Sequence, residues 1–144
     1  MPGRPSASRR TILRGAALTP VAGAALAACS GVGDGGTPAR PTAPTAPVEP
    51  GVDSEVAKGS AKLYRDQNVV VSRAESGALK AFSSICTHAG CPIDKLEGTT
   101  LTCSCHGSQF DATTGKVLQV PATMPLKELS VQDKDGKIVA GPGA

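Results

Sequence analysis

The sequence predicts a small all-β domain, an antiparallel sandwich or partly open barrel, in residues 53–144, with a loop-rich subdomain inserted between its strands. Short runs rich in β-branched residues recur along this region and are separated by turn-forming residues, and no segment keeps a helical period. The chain has no Trp, one Tyr and two Phe. The aliphatic core is therefore expected to be thin, and bound metal or cross-links would add stability.

Residues 1–28 have the pattern of a bacterial export signal. The heptapeptide Ser-Arg-Arg-Thr-Ile-Leu-Arg at 8–14 resembles a twin-arginine motif, and an Ala-rich apolar run follows at 15–28. This run is shorter than the ~20 residues that a membrane-spanning helix needs. The sequence Leu-Ala-Ala-Cys at 26–29 matches a lipobox and predicts lipidation of Cys29. Cleavage at an ordinary signal-peptidase site, which would leave Cys29 as a free thiol, is the alternative.

Residues 29–52 are predicted to form a tether between the anchor and the domain. Glycines dominate its first part, and a proline then recurs at every third position from residue 38 to residue 50. This spacing matches the three-residue turn of polyproline II, so residues 37–51 are expected to be extended and to span roughly 45 Å.

The strands of the domain are predicted in pairs joined by turns. Residues 68–73 and 78–82 should form a hairpin around the turn at 74–77. A strand at 99–102 follows Glu97-Gly98, and the turn at 111–115 leads into a strand at 116–120. The turn at 133–136 joins strands at 129–132 and 137–140.

Charge is distributed unevenly along the chain. Five of the fifteen basic residues precede residue 53, whereas residues 53–144 contain ten acidic and ten basic residues. The domain is therefore close to neutral, which argues against nucleic acid as a partner and against a polybasic membrane patch.

The residues with metal-binding chemistry are concentrated in 86–111. This stretch contains both histidines and four of the five cysteines. Two half-motifs, Cys86-x-His88 and Cys103-x-x-His106, each place a thiol and an imidazole where they can face a common centre. Mixed thiolate and imidazole ligation is typical of zinc and of Rieske-type iron–sulfur clusters.

The segments C-T-H-A-G-C-P and C-S-C-H-G-S-Q-F-D resemble the Rieske iron–sulfur family, in particular its disulfide-containing branch from quinol-oxidising complexes. The resemblance extends over about residues 81–126, with the cluster-binding part at about 84–112. It implies one [2Fe–2S] cluster, with Cys86 and Cys103 on one iron and His88 and His106 on the other. It also implies a disulfide between Cys91 and Cys105.

The chemistry of such a cluster accounts for the residue types. Two neutral imidazoles in place of two thiolates make electron uptake easier and raise the reduction potential. Protons on the outer nitrogens of the imidazoles would couple electron uptake to proton uptake. A zinc site with the same four ligands is the alternative, but it gives no reason for the second cysteine pair.

Four further positions follow from the resemblance. Ser108 corresponds to a serine that donates a hydrogen bond to a cluster sulfur, and Pro121 begins a loop that covers the third side of the cluster. Phe110 stands where high-potential members have Tyr, and Ala89 where quinol-oxidising members tend to have Leu. Phe110 has no hydroxyl to donate to a cysteine sulfur, so one hydrogen bond that raises the reduction potential should be absent. Ala89 weakens the inference of a quinol-docking role without affecting the cluster itself.

The sequence thus predicts a lipid-tethered electron carrier on the outer face of a bacterial cytoplasmic membrane, exported by the twin-arginine route. The leading role is the iron–sulfur component of a quinol–cytochrome c reductase, with membrane quinol and a cytochrome as partners. An accessory ferredoxin that feeds another oxidoreductase is the second hypothesis. A zinc-stabilised binding module without redox activity is the third. The chain itself shows no catalytic acid, base or nucleophile besides the cluster.

Overall fold

The computed structural model describes residues 39–144, and the predicted signal, the lipobox with Cys29 and the first part of the tether lie outside them. The described part confirms the all-β prediction, since its one helical element is the 3-10 turn Asp53–Glu55. Ten strands follow the order β1 Val48–Val52, β2 Ser60–Tyr64, β3 Val69–Arg73, β4 Leu79–Ser83, β5 Lys95–Glu97, β6 Thr100–Thr102, β7 Gln109–Asp111, β8 Val117–Gln119, β9 Glu128–Lys134 and β10 Lys137–Gly141.

Six strands form the larger sheet, in the antiparallel order β1-β10-β9-β4-β3-β2. The predicted hairpin of β3 and β4 is present, with Val70 opposite Phe82. The predicted hairpin of β9 and β10 is also present, and its turn is shorter than expected. Asp135 and Gly136 alone form it, with φ of 55° and 78°. Two consecutive residues with positive φ are typical of a type I′ turn, whose twist matches that of the strands.

The smaller sheet has the order β5-β6-β7-β8 and lies entirely between β4 and β9 in the sequence. Because Ala81 of β4 pairs directly with Leu129 of β9, everything between these strands is one insertion. The insertion is therefore longer than the predicted cluster-binding part at 84–112. It also contains β8 and the proline-containing segment at 120–126 that returns the chain to the larger sheet.

The predicted boundary between tether and domain, at residue 53, is too late. Val48–Val52 is the edge strand β1 and pairs with β10, with an irregular register between Val48 and Gly51. Pro50 and Gly51 made this stretch resemble the tether. Proline lacks an amide donor and is tolerated in a sheet at edges and bulges, which is where Pro50 lies.

The core has two parts, one on each side of the larger sheet. Val69 and Val71 of β3 belong to one part, and Val70, between them, belongs to the other, as the alternation of a strand requires. The part with Val70 lies between the two sheets and includes Phe82, Leu101 and Phe110. Two unpaired cysteines of the described residues, Cys86 and Cys103, are also members of it. The base of the candidate site is therefore continuous with the core.

Candidate metal centre

Two loops of the insertion carry the predicted ligands. Loop 1 (residues 84–94) connects β4 to β5, and loop 2 (residues 103–108) connects β6 to β7. The short strands β5, β6 and β7 pair antiparallel, so they hold the two loops side by side.

The two loops have the same internal hydrogen bonds. In loop 1 the Cys86 amide donates to the Cys91 carbonyl at 2.8 Å, and the Gly90 amide donates to the Cys86 carbonyl at 2.8 Å. In loop 2 the corresponding bonds are Cys103 amide to Ser108 carbonyl and Gly107 amide to Cys103 carbonyl, both 2.9 Å. Each loop is thus closed around its first cysteine in the same way.

Glycine makes this closure possible in both loops. Gly90 and Gly107, each four residues after the first cysteine, have φ of 70° and 82°. Residues other than glycine rarely adopt such angles because their Cβ meets the backbone. The glycines of the two half-motifs therefore have a conformational role.

The four predicted ligands divide into a buried pair and an exposed pair. Cys86 and Cys103 are 3% and 1% exposed and form no disulfide. His88 and His106 are exposed, and their ring centroids lie 4.7 Å apart with an interplanar angle of 84°. Thiols thus lie on the inner side and imidazoles on the outer side.

A disulfide between Cys91 and Cys105 joins the two loops, with the two Cα atoms 6.6 Å apart. The Sγ atoms of these two residues and of Cys103 lie within 4.8 Å of one another. Disulfide sulfurs are not thiolates, and the thiolate is the form that binds metal. We therefore interpret this group of three as a cross-link beside one free thiol, and not as a separate metal site.

Burial raises the pKa of the Cys103 thiol, and the neighbouring Cys86 thiol raises it further. Two buried thiolates side by side are unfavourable because their charges repel and are poorly solvated. A bound cation removes this penalty, since it displaces the protons and neutralises the thiolates.

The third side of the site is formed by the segment that follows β8. Thr87 Oγ1 donates to the Met124 carbonyl at 2.6 Å and so connects loop 1 to this segment. The Ala122 amide donates to Ser108 Oγ at 3.0 Å. Ser108 is fully buried and uses its oxygen as the acceptor in this bond, so its hydroxyl proton can be donated to another group. The Val120-Pro121 peptide bond is cis, and Pro121 is exposed.

The two departures from the family pattern differ in their surroundings. Phe110 is fully buried and belongs to the core that contains the two free cysteines. Ala89 lies between His88 and Gly90 and is partly exposed. The ring of Phe110 therefore has a packing role, whereas a methyl group at residue 89 leaves the surface beside His88 open.

An acidic residue that no sequence motif indicated, Asp94, holds loop 2. Asp94 Oδ1 accepts a hydrogen bond from the Ser104 amide at 3.0 Å. This hydrogen bond lowers the pKa of the Asp94 carboxyl. The Asp94 carbonyl accepts from Arg65 Nε at 3.1 Å. The signal in the sequence is a carboxylate at the end of a ligand loop. Its hydrogen-bond partner, Ser104, is ten residues further along the chain, so local spacing does not reveal the contact.

The residues present fit a [2Fe–2S] group of the Rieske type. Two buried free thiols supply the inner side with donors that become thiolates when metal binds, and two exposed imidazoles leave the outer side accessible. The buried Ser108 hydroxyl provides a donor on loop 2, the loop that also carries Cys103. Zinc also accepts two thiolates and two imidazoles, but this inner and outer division is not something a closed structural zinc site requires.

The family model of the Rieske [2Fe–2S] domain matches residues 48–130. Its first residue is also the first residue of β1. The match covers more than half of the chain and includes both ligand loops and the segment at 120–126.

Among curated proteins, the cytochrome b6-f complex iron-sulfur subunit of Chlorobaculum tepidum is 39% identical over 92 residues, which cover 62% of this chain and 50% of that protein. The cytochrome bc1 complex Rieske iron-sulfur subunit of Corynebacterium diphtheriae is 40% identical over 84 residues, which cover 52% of this chain and 21% of that protein. The chain thus spans half or less of the length of these two relatives. Sulredoxin of Sulfurisphaera tokodaii is 33% identical over 94 residues, which cover 58% of this chain and 85% of that protein.

Among solved structures, the plasma membrane Rieske protein of a Synechocystis cyanobacterium has a TM-score of 0.50 and 30% identity, covering 65% of this chain and 97% of that one. A naphthalene 1,2-dioxygenase has a TM-score of 0.52 and 25% identity, covering 67% of this chain and 26% of that one. The described fold is therefore similar to that of nearly the whole of one Rieske protein and to that of one part of a longer dioxygenase.

Proposed function

The chain belongs to the Rieske [2Fe–2S] domain family, and on this premise we propose that it transfers single electrons as the iron–sulfur component of a quinol-oxidising complex. Its relatives include subunits of the cytochrome b6-f and cytochrome bc1 complexes. The pairing of two buried free thiols with two exposed imidazoles on disulfide-linked loops is the observation that most supports this function.

We assign the ligands from this division. Cys86 and Cys103 would hold the inner iron, because their burial suits an anionic, dry environment once metal is bound. His88 and His106 would hold the outer iron, because both rings are exposed and adjacent. The bound cluster would supply a one-electron acceptor of raised potential.

The exposed imidazoles would form the face that meets the quinol. Each ring has one nitrogen for metal and one that can hold or release a proton at the surface. His88 and His106 could therefore accept a hydrogen bond from a quinol hydroxyl and take its proton when the electron leaves. The disulfide and the Thr87–Met124 hydrogen bond would keep this face rigid.

The proposed location is the outer face of the bacterial cytoplasmic membrane. The twin-arginine-like segment at 8–14 supports export of a folded protein with its cluster, and the lipobox at 26–29 supports a lipid anchor on Cys29. None of the described residues forms a helix with the length and apolar character needed to cross a bilayer. Mass spectrometry of the mature membrane-bound protein would test the anchor.

A second function, an accessory ferredoxin for another oxidoreductase, is favoured by two residues of the site. Ala89 gives a smaller surface beside His88 than the Leu expected for quinol docking. Phe110 has no hydroxyl that could raise the reduction potential through a hydrogen bond to a cysteine sulfur.

Reduction potential distinguishes the two functions. EPR-monitored titration of the full-length protein at several pH values is expected to give a midpoint in the upper part of the Rieske range, about −150 to +300 mV. The midpoint should decrease as pH rises, because reduction is coupled to the uptake of a proton at an imidazole.

A midpoint near the bottom of that range, independent of pH around neutrality, would instead indicate the accessory ferredoxin. Protein that remains colourless and EPR-silent after iron reconstitution would indicate zinc and reject both redox functions.

A further inference from the structure

A cation from the predicted tether lies on loop 1. The guanidinium of Arg40 occupies the space that a side chain at Gly90 would fill. An ideal Cβ at Gly90 would lie 2.5 Å from Arg40 Nη2 and 2.9 Å from both Cζ and Nε. The planar group therefore packs directly on the backbone of the loop that carries Cys86 and His88.

The position of Arg40 is supported by contacts along the segment that follows it. The carbonyl of Thr42 accepts a hydrogen bond from Asn68 Nδ2 at 3.1 Å. Further on, the chain passes so close to Gly141 that a Cβ there would lie 2.8 Å from the Ala46 carbonyl oxygen. Residues 40–47 are thus attached to the domain, and only then does the chain enter β1.

No lysine or arginine belongs to loop 1, loop 2 or residues 121–125. The two cations that contact loop 1, Arg40 on Gly90 and Arg65 on the Asp94 carbonyl, thus come from outside the ligand loops. Gly90, which Arg40 covers, donates the hydrogen bond that closes loop 1 on the Cys86 carbonyl. Among residues 39–144 no carboxylate forms an ion pair with Arg40, so within the described part its charge is not neutralised by a partner. A guanidinium stays protonated at all relevant pH values.

We propose that the positive charge of Arg40 raises the reduction potential of the cluster. Reduction adds one negative charge to the site, and a nearby fixed positive charge stabilises the reduced form relative to the oxidised form. This inference rests on the proposed function, since it requires that the site binds the cluster. It also gives the segment at 40–47 a role beyond that of a spacer.

The test compares midpoint potentials of the full-length protein and three variants. Arg40→Gln removes the charge, and Arg40→Lys keeps it. Lys58→Gln is the matched control, because it also removes one exposed positive charge but lies at the opposite end of the larger sheet. Lys58 is two residues before Ser60, which pairs with Arg73, whereas loop 1 follows Ser83, which pairs with Val69.

Arg40→Gln is expected to lower the midpoint potential more than Lys58→Gln does, and the difference should decrease at high ionic strength, since salt screens exposed charges. Arg40→Lys should stay close to the wild-type value. Equal shifts for Arg40→Gln and Lys58→Gln, or a potential for Arg40→Lys as low as that for Arg40→Gln, would overturn the inference.

Iron and acid-labile sulfide are measured first in each protein. A wild type that binds no cluster would overturn the proposed function and this inference together. A fully loaded wild type with indistinguishable Arg40→Gln and Lys58→Gln potentials would overturn this inference alone.

Discussion

Two buried serines near the ligand loops differ in what their hydroxyls contact. Ser108 Oγ accepts a hydrogen bond from the Ala122 amide and so joins loop 2 to the segment on the third side of the site. Ser84 begins loop 1 and is 1% exposed, but its hydroxyl has no hydrogen-bond partner among the described residues. The sequence motif singled out Ser108, but neither its contact with Ala122 nor the unpaired hydroxyl of Ser84 could be predicted from the sequence.

Ser108→Ala should therefore reduce both stability and reduction potential. The Ala122 amide loses its acceptor while buried, which costs about 1–3 kcal/mol. The hydrogen bond from Ser108 to a cluster sulfur, which the family resemblance implies and which would favour the reduced form, would also be lost. Urea unfolding and potentiometry measure the two effects.

The control is Ser84→Ala, which removes an unpaired buried hydroxyl and should leave the free energy of unfolding unchanged or slightly increased. If Ser108→Ala behaves like Ser84→Ala in both measurements, the role assigned to Ser108 is wrong.

At the scale of elements, the turn between β7 and β8 is where the smaller sheet packs on the larger one. Gly115 in this turn has φ of 71°, and an ideal Cβ there would lie 2.7 Å from Phe82 Cε1 of β4. Its carbonyl accepts a hydrogen bond from the Leu126 amide at 2.8 Å. The two sheets therefore approach each other at a point where a side chain would not fit.

Gly115→Ala is expected to destabilise the protein through two effects. Positive φ costs a non-glycine residue about 1–2 kcal/mol, and the contact with the buried Phe82 ring adds about 1–3 kcal/mol of overpacking. Gly136→Ala is the matched variant, since Gly136 has φ of 78° and nothing within 4 Å of its ideal Cβ. Equal losses in urea unfolding would show that Phe82 does not restrict the turn.

The elements that the sequence predicted are those with strong local signals. β3 and β4 are rich in valine, leucine and phenylalanine around a clear turn, and the hairpin of β9 and β10 contains Asp-Gly. β1 was hidden by Pro50 and Gly51, and β5 has only three residues, two of them charged. Pairing with a neighbouring strand, rather than local propensity, stabilises β1 and β5. The partner of β1 is β10, which is about ninety residues away in the sequence.

In the candidate site, too, the residues within short motifs could be predicted, whereas the contacts made by residues distant in the sequence could not. The four candidate ligands and the disulfide cysteines lie in two short loops, whose residue types and spacing carry the family resemblance that implied these roles. Arg40 and Asp94 act on these loops through contacts that only the folded chain creates. The role of a charge near the site could therefore not be predicted from spacing.

At the scale of the whole molecule, the larger sheet is the scaffold and the insertion between β4 and β9 holds the site. The core between the two sheets is continuous with Cys86 and Cys103. Binding of metal to these thiols is therefore expected to stabilise the folded state, because a ligand that binds only the folded protein shifts the folding equilibrium.

The central claim, that His88 and His106 bind a [2Fe–2S] cluster together with Cys86 and Cys103, can be tested on the intact protein without mutation. The chain has only these two histidines, so labelling histidine with 15N marks both candidate ligands and nothing else. Electron–nuclear double resonance of the reduced protein should show strong hyperfine coupling from two directly bound 15N nuclei. An iron–sulfur signal without strong histidine coupling would contradict the ligand assignment.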